Sequence, residues 1–180
     1  MKARIVTDLR DFPEQVNLVG SVERLLSDVP TKYLAGLGSV LLRDSGSLTR
    51  SERQKRERRP SSSLLGTYYH AKGATPPQIH LFVDKILPGW SPRVLRLPII
   101  LDVLLARPLF HEIGHHIQAR IEPEHRDPEV VATEWSNKLA GAFMRRRYWY
   151  LIPFLKILIP AWKFWRAKRR RHLPVQELID

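Results

Sequence analysis

Apolar residues recur every third position in "EQVNLVGSVERLLSD" (14–28), where Val16, Val19, Val22 and Leu25 fall on one side of a helix. The spacing predicts a short amphipathic helix. "YLAGLGSVLLRD" (33–44) reads as a glycine-punctuated turn leading into a strand at 38–43. The pattern then stops. "SGSLTRSERQKRERRPSSS" (45–63) has no apolar period and reads as a flexible basic loop. "LLGTYYHA" (64–71) returns to strand chemistry. "QIHLFVDKI" (78–86) has β-branched and aromatic residues in alternation and carries the best strand signal, between the turns "KGATPP" and "PGWSP".

From Leu97 to Ile121 the chain is apolar with helical spacing, and Pro98 stands near the expected start. Pro108 lies inside this run. It either kinks one long helix or begins a second one carrying 109–120. "EPEHRDP" (122–128) is a turn. Its Asp127 and Pro128 make a good N-cap and first helical residue for another helix over 129–147. No segment repeats. The 180 residues suit one domain with a modest core.

Candidate chemistry is concentrated in "FHEIGHHIQ" (110–118). His111 and His115 are four residues apart, so they share a helix face one turn apart. Two imidazoles so placed can point at one tetrahedral zinc ion. Glu112 is rotated by about 100° from His111 and can reach a water there without binding the metal itself. With 7 histidines in 180 residues, chance supplies this pattern in about one to two per cent of such chains. The flanking Leu109, Phe110, Ile113 and Ile117 place it on a helix that packs on a core. Gly114 costs about 1 kcal/mol against alanine in mid-helix, which either a close neighbour crossing there or tolerated drift would explain.

A catalytic zinc takes three protein ligands and keeps one position open. The extended motif with a third histidine would need it at 121, where Ile121 stands. A carboxylate on the next helix is therefore expected, and Glu129 and Glu134 compete. The stripe from Glu129 carries Ala132, Thr133, Ser136 and Ala140, small residues that let the helix pack closely. Glu134 groups instead with Val130, Asn137 and Lys138. The stripe favours Glu129. Glu122 and Glu124 lie too near the turn.

"HEIGHH" followed by "EVVATEWSNKLA" resembles the gluzincin metallopeptidases, whose histidine helix precedes a Glu-x-x-Ala-x-x-aromatic-small helix. Glu129, Ala132, Trp135 and Ser136 match that pattern. The likeness is to short-chain members, the minimal-scaffold forms and the ImmA/IrrE-like regulatory proteases, over roughly residues 30–147. It implies a zincin-like α+β domain over 1–147: a small, mostly antiparallel sheet with 78–86 as an edge strand, packed on an active-site helix and a glutamate helix. It further implies one zinc ion per chain on His111, His115 and Glu129, with Glu112 as general base in hydrolysis of a protein or peptide substrate. In relatives the edge strand holds substrate by strand addition. An oxyanion donor is also needed, and Tyr68, Tyr69, His70, His116 and His125 are the candidates. Tyr68 and Tyr69 serve equally as strand packing, and His116 and His125 as surface residues. His80, on the opposite face from Ile79 and Leu81, reads as structural. Thr133 stands where many relatives have aspartate, and no helix-turn-helix module is legible.

Charge changes the picture of the partners. The net charge is +12. Residues 50–59 hold six basic and two acidic residues, residues 145–180 hold ten and two, and together these account for all of it. The segment 148–180 opens with "YWYLIPFLKILIPAWKFW", apolar and aromatic but broken by two lysines and two prolines. An interfacial segment fits it better than a span, so 145–171 is expected to meet an anionic membrane surface, ahead of partner packing or nucleic acid. The absence of cysteine excludes disulfides and thiolate metal sites. "MKARIVTDLRDFPEQ" lacks the apolar run of a signal peptide, so a cytoplasmic protein, peripheral on the membrane, is expected. A competing class is a zincin-fold regulatory or binding protein that cleaves nothing and uses its basic segments on membrane or nucleic acid. A metal-free nucleic-acid binder is a third.

Overall fold

The computed structural model describes residues 3–10, 12–48, 65–121 and 127–151. The basic loop at 50–59, His125 and the segment from 152 onward lie outside them. The chain divides into two compact units, Met1–Phe143 and Met144–Asp180.

The first unit is α+β. It runs β1 (Arg4–Asp8), α1 (Leu18–Ser27), α2 (Thr31–Leu34), β2 (Ser39–Arg43), β3 (Gly66–Tyr69), β4 (Gln78–Phe82), α3 (Val83–Ile86), α4 (Pro92–Leu95), α5 (Pro98–Ile121) and most of α6 (Pro128–Arg147). Asn17 caps α1, its side-chain oxygen accepting from the Gly20 N–H at 2.8 Å. Val22 and Leu25 are buried as the period predicts, while Val19 is exposed and Leu18 and Leu26 take its place in the core. Leu105, Leu109, Ile113 and Ile117 give α5 its core face. Pro108 neither ends nor divides α5, which continues through it for 24 residues.

The four strands form one sheet in the order β1-β2-β4-β3. Both β1–β2 and β2–β4 are parallel; only β3–β4 is antiparallel. This mixed sheet replaces the mostly antiparallel one expected. The helices between β1 and β2 form a crossover, which returns the chain in the same direction. The strand β1 itself was not expected from the pattern. The expected edge strand at 78–86 is also corrected. β4 lies between β2 and β3, with Ile79, His80, Leu81 and Phe82 all buried. It ends at Phe82, and 83–86 turns into α3. Among the described residues the edges are β1 and β3.

The hydrogen-bond pattern of β3 determines what its edge offers. The Phe82 N–H donates to the Leu65 carbonyl at 2.9 Å, and the register pairs Gly66 with Leu81, Thr67 with His80 and Tyr68 with Ile79. Backbone groups alternate direction along an antiparallel pair. Thr67 and Tyr69 therefore turn theirs toward β4, while Gly66 and Tyr68 turn theirs outward.

In the second unit α6 ends on Arg145, Arg146 and Arg147, and a 3-10 turn follows over Trp149–Leu151. Among the described residues no helix is long and apolar enough to cross a membrane.

Candidate metal centre

α5 and α6 build the site between them. The helical period stacks His111 and His115, whose ring centroids are 4.8 Å apart at an interplanar angle of 86°. α6 brings Glu129 to both. Its Oε2 lies 3.3 Å from His111 Nε2, and its Oε1 lies 3.5 Å from His115 Nε2. The three ligand atoms fall within 4.8 Å of one another, so the group could hold a metal ion. Tetrahedral geometry with bonds of ~2.0–2.1 Å separates ligand atoms by ~3.4 Å, which both contacts match. His111 Nε2 is buried without a hydrogen-bond partner, as a ligand nitrogen aimed at a cation would be.

Two local features deliver Glu129. The Asp127 carboxylate accepts from the Glu129 N–H at 2.9 Å and starts α6 where the sequence predicts. Gly114 then lets the helices meet. A Cβ built there would lie 2.7 Å from both the Cα and the carbonyl oxygen of Ala132. Of the two explanations open for the mid-helix glycine, a close neighbour or tolerated drift, this contact favours the neighbour. Farther along, the Ser136 hydroxyl donates to the Arg107 carbonyl at 3.1 Å. Glu134 is exposed and stays outside the group. Glu122 and Glu124 lie outside the described residues.

Glu112 points another way from the same turn. It is 2% exposed and rests against Gly66 of β3. Tyr68, on the same face of β3, reaches His116: its hydroxyl is 3.1 Å from Nδ1, and Nε2 is 3.1 Å from the Ala35 carbonyl. A carbonyl only accepts, so Nε2 carries the proton, Nδ1 accepts, and Tyr68 donates. The Tyr68 proton is thereby committed to His116 rather than offered to an oxyanion. His116 is fully buried, so the surface role considered for it is corrected. Burial lowers its pKa and raises that of Tyr68. Tyr69 turns to the opposite face, its ring 4.4 Å from that of His80. His70 is exposed and edge-on to Tyr68. His80 is held by Arg43 at 3.3 Å and Gln78 at 3.4 Å, in keeping with a structural role.

Sequence reasoning missed Gly66. A glycine inside strand-forming residues signals a close approach, but nothing in the sequence says what approaches. An open groove beside β1 and α1, lined by Thr7, Phe12, Glu14 and Asn17 among others, contains none of the site residues. Compared with protein-family models, with curated proteins and with solved structures, the chain matches none.

Proposed function

We propose that the chain is a zinc-dependent metallopeptidase of gluzincin type. The observation that carries this reading is the convergence of His111, His115 and Glu129 at ligand spacing, with Glu112 on the same helical turn facing the edge strand. Two imidazoles and a carboxylate suit zinc. A zinc ion held there would supply Lewis acidity toward a water and the scissile carbonyl. Glu112 takes the proton from the attacking water and returns it to the leaving amine, so one peptide C–N bond breaks for each water consumed. The outward N–H and C=O groups of Gly66 and Tyr68 hold an extended substrate by strand addition, a role that falls to β3 because β4 is internal. The aromatic and basic composition of 145–171 supports peripheral attachment to an anionic membrane. Sedimentation with phosphatidylserine vesicles tests that attachment, and failure to sediment would remove it.

The direct test of the activity is incubation of zinc-loaded protein with a proteome-derived peptide library, with new termini read by mass spectrometry. The wild type produces them, and Glu112→Gln keeps its zinc but produces none. A silent wild type, or unchanged cleavage by Glu112→Gln, would overturn the proposal.

A further inference from the structure

Gly66 opens β3 on the face that meets α5. Its backbone is not in the left-handed region, unlike Gly36, Gly73 and Gly89, so its conformation admits any residue. Glycine weakens a strand, so its presence here needs a spatial reason. The reason is Glu112. A Cβ at position 66 would stand 2.9 Å from Glu112 Cγ, 2.9 Å from Oε1 and 3.2 Å from Cδ. The first two separations are too short for unbonded atoms, and the third is tight. Because Glu112 is 2% exposed, its carboxyl has no open solvent to swing into.

We infer that Gly66 is a positioning residue for the general base. The missing side chain lets the Glu112 carboxylate lie against the edge-strand backbone, at the residue whose own N–H and C=O face outward. The same position thus brings the base and a strand added to the edge together. A Cβ at 66 displaces the base, since the three atoms nearest to it all belong to Glu112 and none to His111, His115 or Glu129. The inference rests on the reading of Glu112 as the base. The steric relation between positions 66 and 112 does not.

A double-mutant cycle on the full chain tests the steric relation: wild type, Gly66→Ala, Glu112→Ala and the double variant, melted by circular dichroism. Peptide cleavage by folded Gly66→Ala tests the positioning, with kcat expected to fall roughly tenfold or more while KM and zinc content hold, and an unchanged kcat would overturn the inference. Gly66→Ala is expected to lower Tm by roughly 3–8 °C. In the Glu112→Ala background the same substitution is expected to leave Tm unchanged or raise it, because alanine serves a strand better than glycine once the obstacle is gone. If Gly66→Ala fails to fold, a folded double variant supports the inference equally. An equal loss in both backgrounds, no loss in either, or a double variant that also fails to fold would overturn the inference. Zinc counted on the same proteins keeps the two readings apart. A wild type that takes up no zinc strikes the metallopeptidase reading and leaves the 66–112 relation to the melting curves.

Discussion

Two carboxylates meet α5, and they are surrounded in opposite ways. Asp102, within the helix, is completely buried and receives donors: Arg24 Nε at 3.0 Å, Arg24 Nη2 at 2.6 Å, and the Ser21 hydroxyl. It ties α1 to α5. Glu129, arriving from α6, is 41% exposed and faces the Nε2 atoms of two histidines. Asp102 is met by hydrogen atoms. Glu129 is met by imidazole nitrogens, each of which donates to it when it carries a proton and turns a lone pair toward a shared cation when it does not. A carboxylate met by fixed donors locks a fold, whereas a part-exposed carboxylate facing two imidazoles could hold a metal ion with them.

Breaking the locked carboxylate should have the largest effect on stability. Asp102→Ala strands the Arg24 guanidinium, 24% exposed, and is expected to cost about 3 kcal/mol by urea unfolding while zinc content stays unchanged. Loss of zinc in that variant would merge the two regions into one. Gly114→Ala drives a methyl group into the Ala132 backbone and is expected to cost about 2 kcal/mol and to remove zinc as well, since Glu129 moves with α6. Zinc retained there would mean that the helix crossing does not present the ligand. Tyr68→Phe removes the hydrogen bond to His116 and is expected to cost about 1 kcal/mol with zinc intact.

The same histidine gives a pH signature. Burial holds the His116 pKa below its ordinary 6.5, so the unfolded chain binds the proton more readily. Its contribution to stability is complete above that ordinary value and is lost as pH falls from it toward the folded value. Unfolding followed between about pH 5 and 8 should show this decline, and His116→Gln should flatten it. An unchanged decline in the variant would assign it to other groups. The smallest effect is expected from Glu129→Ala without metal, under about 0.5 kcal/mol, as befits a part-exposed carboxylate. A large loss in the metal-free protein would place Glu129 with Asp102 as a structural group.

What the sequence revealed and what it hid follow from how local each signal is. Helical period is local, so α5 and α6 were legible, as were the stacking of His111 on His115 and the Asp127 start of α6. Gly114 was readable as a cost that either a neighbour or tolerated drift could explain, and the approach of Ala132 favours the neighbour. Strand alternation is equally local, but it carries no information about which strand pairs with which. "QIHLFVDKI" therefore looked like an edge when β4 is internal, and the direction of the sheet was misjudged. Asp102 and Gly66 were invisible for the same reason. Each matters through a partner, Arg24 or Glu112, that is distant along the chain.

The central claim is that His111, His115 and Glu129 are one metal site, and elemental mass spectrometry of the purified chain tests it most directly. The account predicts close to one zinc per wild-type chain, lost in His111→Ala and in Glu129→Ala and kept in Glu112→Gln. No zinc in the wild type after loading, or zinc retained in Glu129→Ala, would contradict it.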